Sequence, residues 1–179
     1  WPANADGKYH GDMSIYKALT NSYNPPAVRV LKLQQDDDGT FSTVLNFARD
    51  TLKLSSLQDD DKNGLAPLSL GALSKGVTVL EMTRAFSVYA NKGTFTDSRS
   101  YTRVESYSGK TVLQKDVSKQ SVYSEQTAYL MTYTLENVVA ETYFGRAAKV
   151  YGVETAGKTG TTSFYNDRWF IGYTPYYLA

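Results

Sequence analysis

The chain has no cysteine, which excludes disulfides, thiolate metal sites and cysteine nucleophiles, and it has a single histidine among 179 residues. A Ser-His-Asp hydrolase would have to use His10, which lies in the polar opening WPANADGKYHGD and reads as a solvated loop side chain. A metal site built from several histidines is impossible. An excess of one charge is also lacking: nineteen basic residues stand against eighteen acidic ones, so bulk electrostatics indicate neither a nucleic-acid partner nor an anionic membrane surface. No apolar run approaches the roughly 20 residues needed to span a bilayer. Trp1 to Gly11 has no charged segment followed by an apolar stretch, so nothing there resembles a signal peptide, and the numbering is expected to begin inside a longer protein. The acidic clusters Asp36 to Asp38 and Asp59 to Asp61 lack the spaced ligands and glycine of a calcium loop and are expected to be solvated. No cofactor and no metal are indicated.

What is present suits one globular domain or most of one, with 41% apolar and 13% aromatic residues. Asp12 is placed to cap a helix through SIYKALTN, and Pro25-Pro26 to open a second through AVRVLKLQQ. TFSTVLNFARDTLKL spaces Phe41, Val44, Leu45, Ala48 and Leu52 as one buried helical stripe. LQDDDKNGLAPLSLGALSKG is rich in loop formers. Thr78 and Glu81 then form a capping box for TVLEMTRAFSVYANKG, which Gly93 ends. YTRVESYSGKTVLQKD predicts a hairpin turning at Ser108-Gly109. Ser124 caps a long amphipathic helix, EQTAYLMTYTLENVVAETY, with Tyr129, Met131, Leu135 and Val138 expected in the core. The tail reads as a strand TAGKTGTTSF, a turn YND and a strand RWFIGY.

Two motifs overlap in that tail. Gly152 to Thr159 satisfies G-x-x-x-x-G-K-T, a phosphate-binding loop, whereas Lys158-Thr159-Gly160 alone is K-T-G. A phosphate loop needs a helix starting at Lys-Thr. The residues that follow are glycine, β-branched and aromatic, which favour a strand, and only 20 remain after Thr159. The K-T-G alternative needs an edge strand facing a cleft. Lys158 then supplies positive charge, Gly160 admits ligand backbone, and Thr159 and Thr161 offer hydroxyls to a substrate carboxylate. Ser22-Tyr23-Asn24 supplies a second element, S-x-N, on the turn between the first two helices. Without a usable histidine or cysteine, a serine enzyme must move protons through a lysine or a hydroxyl network, and this element suits that task. The same letters also suit a serine that merely caps a helix and an asparagine that serves a turn.

The blocks WPANADGKYHGDMSIYKALTNSYNPPAVRV, LSLGALSKGVTVLEMTRAFSVYANKGTF, SEQTAYLMTYTLENVV and AGKTGTTSFYNDRWFIGYTP occur in the order seen in the transpeptidase domain of class A penicillin-binding proteins, which the chain resembles over nearly its whole length. The resemblance implies an α+β fold of the β-lactamase/transpeptidase type, an antiparallel sheet with packed helices plus a helical part. The helical part is expected at about 12–93 and 124–144, and the sheet part at about 100–117 and 150–179. It implies a serine enzyme that cross-links peptidoglycan stem peptides and is acylated by β-lactams. Catalytic roles fall to Ser22, in proton transfer towards the leaving amine, to Asn24, which grips the substrate backbone and the nucleophile's lysine, and to Lys158. Thr159, Gly160, Thr161 and Tyr23 are implied as substrate-binding, with the Thr161 N–H in an oxyanion hole. Asp167, Trp169 and Phe170 are implied as support for the neighbouring strand.

The chain departs from the family in three ways. Its one S-x-x-K match, Ser14 to Lys17, lies eight residues before Ser22 and reads as a helix start followed by a solvated lysine. The nucleophile is therefore expected in a segment before Trp1, and the chain is expected to be cut at both ends. ETYFGRAA replaces the glycine-threonine that usually precedes the third motif. The parent protein is expected on the outer face of the cytoplasmic membrane, held by an N-terminal anchor outside this chain. Rival readings are a non-catalytic relative that binds wall peptides or partner proteins in the same cleft, and a β-lactamase, against which the TVLEMTRAFSVYANKG region argues.

Overall fold

The computed structural model describes residues 1–179, except for the side chain of Phe164. Helix α1 spans Ile15–Thr20 and α2 spans Asn24–Lys32. The cap of α1 is Ser14, whose hydroxyl accepts the Lys17 N–H at 3.2 Å, and not Asp12. A capping side chain must reach an amide two or three residues on, and Asp12 lies two residues too early. The third helical stretch divides: α3 (Ser42–Asn46) runs into a π-type turn at Phe47–Thr51, burying Phe41 and Leu45 while Val44, Ala48 and Leu52 are half-buried.

The stretch expected to be loop carries a 3-10 turn at Asp59–Asn63 and a short helix, α4 (Leu65–Leu70). Asp61 is buried there rather than solvated. Its carboxylate accepts the Gln58 N–H and both the N–H and the hydroxyl of Ser74, which fastens one loop to the next. Helix α5 (Val79–Ala90) starts at the expected capping box of Thr78 and Glu81. Glu81 also accepts from Ser55 and Ser56, so one buried carboxylate ties the helix start to a loop 25 residues earlier.

The strands are antiparallel and form three separate pairs. β1 (Thr94–Thr96) pairs with β4 (Lys119–Ser121), a pair the sequence did not suggest. β2 (Arg103–Glu105) and β3 (Thr111–Gln114) form the expected hairpin, exposed along both strands. β5 (Ala156–Thr161) and β6 (Arg168–Tyr173) form the third pair, with Lys158 opposite Ile171 and Thr161 opposite Arg168.

Helix α6 (Glu125–Glu141) lies across this last pair, and α7 (Tyr143–Arg146) follows it. Ala128, Leu135, Val138 and Val139 are buried at helical spacing, and Leu135 meets Ala156 and Tyr173 in a core flanked by Phe86, Tyr89 and Met131. Tyr129 is not in that core. One residue on from Ala128, it is turned about 100° off the buried stripe and stays 67% exposed at the rim of a cavity of about 230 Å³. Helix α1 packs on α6 as well, with Tyr16 stacked on Tyr133 at 5.9 Å. Both the Ser22 turn and β5 are thus referred to one helix. The molecule exposes 12089 Å², whereas a compact monomer of 19.9 kDa exposes roughly 8,700 Å².

Candidate active site

Helix α1 ends in a double hydrogen bond: the Ser22 N–H reaches the Leu19 carbonyl at 3.1 Å and the Tyr23 N–H reaches the Ala18 carbonyl at 3.0 Å. This Schellman arrangement puts the residue after the cap in the left-handed region, where glycine is the usual occupant. Here that residue is Ser22, at φ 58°. A side chain held in that conformation costs of order 1–3 kcal/mol and points to a use for the hydroxyl.

The hydroxyl has a partner. Lys158, in the middle of β5, donates from Nζ to Ser22 Oγ at 2.7 Å and to the Thr159 carbonyl at 2.9 Å. Among the described residues it forms no salt bridge. Burial therefore acts unopposed and lowers the ammonium below the usual lysine range. The site is a desolvated cation against a serine hydroxyl, able to hold or pass a proton. A phosphate loop is ruled out, because Lys158 sits inside a strand that runs on to Thr161 and no helix begins there.

The register fixes what the outer edge of β5 offers. Gly172 exchanges both backbone hydrogen bonds with Ala179 on the far side of β6, so its opposite number Gly157 also turns its backbone groups away from β6. Alternation then directs the N–H and C=O of Thr159 and Thr161 outward, at an edge that no described strand covers. Thr162 closes the phase, donating to the Asp167 carbonyl at 3.2 Å and accepting the Asp167 N–H on its hydroxyl at 2.8 Å. Asp167 thus holds the hairpin end. The ring of Phe170 fills the space beside Gly157 and Gly172, where an added Cβ would lie 2.5 and 2.6 Å from ring atoms. Gly160 differs: the nearest atom to an added Cβ is at 3.5 Å, so packing within the chain does not demand a glycine there.

Asn24 and Tyr23 adjoin this hollow, but their contacts run to the opening loop. The Asn24 amide donates to the Ala3 carbonyl at 2.8 Å, and the Tyr23 ring stacks on His10 at 4.4 Å. His10 is an exposed loop side chain, as expected, and pairs with Asp6 at 2.8 Å. Ser14 spends its hydroxyl as a helix cap on the Lys17 backbone. The sequence reading gave no part to Asn4, which is buried and accepts the Asn24 N–H at 2.9 Å. A signal was available: Pro25 and Pro26 have no N–H, so Asn24 is the one donor in the first three positions of α2 and needs an acceptor from elsewhere.

A family model described as penicillin binding protein transpeptidase domain matches residues 1–177. Penicillin-binding protein 1A of Clostridium botulinum is 34% identical over 179 residues, covering 99% of this chain and 21% of that protein. Penicillin-binding protein 4 of Bacillus subtilis is 31% identical over 177 residues, covering 98% of this chain and 27% of that protein. The chain thus spans about a fifth to a quarter of the length of these relatives. Among solved structures, PonA1 of Mycobacterium tuberculosis in complex with penicillin V superposes with a TM-score of 0.76 at 23% identity, over 97% of this chain and 48% of that one. A D,D-transpeptidase domain from Eggerthella lenta gives 0.75 at 20% identity, over 96% and 48%.

Proposed function

The chain belongs to the penicillin-binding protein transpeptidase family, and we propose that it is part of an enzyme that cross-links peptidoglycan stem peptides ending in D-Ala-D-Ala. The observation that carries this reading is the 2.7 Å bond from Lys158 to a Ser22 hydroxyl held in a strained turn. The reaction is a double acyl transfer. A serine oxygen attacks the carbonyl carbon of the D-Ala-D-Ala amide, the C–N bond breaks, and the terminal D-Ala leaves as an amine that needs a proton. Ser22 gives that proton and regains one from the Lys158 ammonium, which is in turn restored by the proton that the attacking serine hydroxyl gives up. The amine of a neighbouring stem peptide then attacks the serine ester, and its proton returns along the same path. A β-lactam acylates the same serine by presenting a strained amide of similar shape.

The β5 edge binds the peptide. Outward backbone groups at Thr159 and Thr161 add the substrate as a further strand, and Gly160 lets it approach closely. The Thr159 and Thr161 hydroxyls receive the terminal carboxylate. The Thr161 N–H serves as an oxyanion donor, a contact worth about 10² to 10³ in rate. Asn24 and Tyr23 border the substrate from the opposite wall.

In this reading Ser14, whose hydroxyl caps α1 on the Lys17 N–H, is not the acylated serine, which is assigned to a segment of the parent protein outside this chain. Surface beyond that of a compact monomer of this mass supports a body completed by further chain. We place the site on the outer face of the cytoplasmic membrane; no described helix is long and apolar enough to cross one.

The test is labelling of the intact parent protein with a fluorescent penicillin, followed by mapping of the modified peptide. A covalent adduct on a serine upstream of Trp1 is expected. An adduct on Ser14 would overturn the assignment of the nucleophile, and a folded intact protein without label would select a non-catalytic binder of wall peptides.

A further inference from the structure

We propose that Asn4 is a positioning residue for the reaction, fixing from outside the turn that carries Ser22 and Asn24; the inference rests on the transpeptidase reading above. The turn is bonded back onto α1 through the Ser22 and Tyr23 N–H groups, but on the α2 side it has little of its own with which to hold itself. Only Asn21 to Tyr23 separate α1 from α2, Ser22 is in a conformation its own side chain disfavours, and Tyr23, the cap residue of α2, makes no side-chain cap bond. Strain of this kind persists only where the surroundings over-determine it.

The surroundings are the opening loop. Asn4 is 8% exposed and uses both ends of its amide: Oδ1 accepts the Asn24 N–H at 2.9 Å, and Nδ2 donates to the Lys8 carbonyl at 2.6 Å. The neighbouring Ala3 carbonyl accepts the Asn24 side chain at 2.8 Å. Backbone and side chain of Asn24 are therefore both tied to residues 20 and 21 positions earlier. His10 closes the far side, stacked on Tyr23 at 22° between ring planes and anchored by Asp6. None of these contacts uses the Ser22 hydroxyl, which stays directed at Lys158. The loop thus sets where that hydroxyl stands without competing for it, and displacement of a reacting group by about 1 Å is enough to lower a rate 10²-fold.

The intact parent protein is acylated by a penicillin under stopped-flow conditions, giving the limiting acylation rate and the affinity of the prior non-covalent complex separately. Asn4→Leu, which removes both amide bonds, is expected to lower the limiting rate by about 10- to 100-fold and leave the affinity, set by β5, within about twofold. Asn4→Asp, which keeps an acceptor for the Asn24 N–H, is expected to recover most of the rate. A purely structural role would reduce the fraction of protein labelled and leave the rate of that fraction at the wild-type value. Wild-type limiting rates in a folded Asn4→Leu protein would overturn the proposal. Should that variant fail to fold, His10→Ala, a surface change that loosens Tyr23, decides: a several-fold slower limiting rate supports the positioning role, and an unchanged one rejects it. A wild-type protein that no penicillin acylates would remove the transpeptidase reading and this inference together.

Discussion

The Lys158 ammonium meets the Ser22 hydroxyl at 2.7 Å across 136 positions of sequence, and Ser22 holds that hydroxyl in a backbone conformation suited to glycine. Two unrelated elements, a strand and a helix C-terminus, are brought together by packing on one helix, α6. The contact joins a cation that among the described residues forms no salt bridge to a serine under strain, and each feature alone is unfavourable for folding.

Stability and activity should therefore separate at Ser22. Replacing it by glycine relieves the left-handed strain and is expected to raise stability by up to about 1 kcal/mol, or leave it level once the lost hydrogen bond is counted. Penicillin acylation of the intact protein should fall by about 10² to 10⁴. Ser22→Ala keeps the strain and should lose both. Thermal midpoints and acylation rates of the two variants check this, and a clear loss of stability in Ser22→Gly would make the hydroxyl a structural group.

Lys158 carries the pH dependence. Burial lowers its pKa, so the folded protein loses this proton at a lower pH than an unfolded chain does. The charged form is the costly one in the fold: its penalty is complete below the folded pKa and is relieved as pH rises through it. Proton delivery to the leaving amine runs the other way and is lost over that same rise. The acylation rate should show an alkaline limb below 10.5, the ordinary lysine value. Lys158→Arg, which stays charged, should lose that limb while acylating more slowly, because a planar guanidinium does not reproduce the ammonium's geometry.

What could be read in advance follows the range of the interactions. The α5 capping box and the start of the strand at Ala156 are encoded within a few residues and stand where the letters put them, whereas the far end of that strand, expected to reach Phe164, stops at Thr161 and gives way to a 3-10 turn at Ser163–Tyr165. Asp61 reads as solvated in a local window because its cap bond to the Gln58 N–H is compatible with an exposed turn, and the partner that buries it, Ser74, is 13 residues away. Helix α4 is not legible locally, because six residues framed by Gly64 and Gly71 look like loop without the contacts that α2 supplies. Tyr129 reads as core because an aromatic in an amphipathic helix suggests burial, although one residue of phase carries it to the surface. The pairing of Ser22 with Lys158 rests on the chemistry that S-x-N and K-T-G elements share and on the family resemblance, since no local rule joins residues so far apart.

Glycines 157 and 160 should respond differently to the same change. At Gly157 an added methyl would lie 2.5 Å from the Phe170 ring, so Gly157→Ala is expected to destabilise the β5–β6 pair by about 1–3 kcal/mol. At Gly160 the methyl meets nothing closer than 3.5 Å, so Gly160→Ala should fold with an unchanged thermal midpoint. It should instead weaken penicillin binding at least tenfold, because the methyl stands where ligand backbone approaches. A Gly160→Ala protein that binds normally would remove the peptide from this edge of β5.

Glu81 contributes to the stability of the fold towards acid. Desolvation of this buried carboxylate raises its pKa, but hydrogen bonds from Thr78, Ser55 and Ser56 outweigh it and hold the group at about 2, against 4.5 for a free glutamate. A carboxylate bound more tightly in its charged form stabilises the folded state fully above 4.5, and that contribution disappears as pH falls through about 2. Glu81→Gln keeps the shape but replaces charge-assisted bonds with neutral ones and brings a donor amide among hydroxyls and N–H groups. It should cost about 2–3 kcal/mol at neutral pH. Denaturant unfolding of wild type and variant from pH 7 to pH 2 should show a constant gap down to about 4.5 that closes towards 2. A gap that stays constant to pH 2 would mean that Glu81 acts by filling space, and that the helix start is held by the Thr78 hydroxyl on the Glu81 N–H alone.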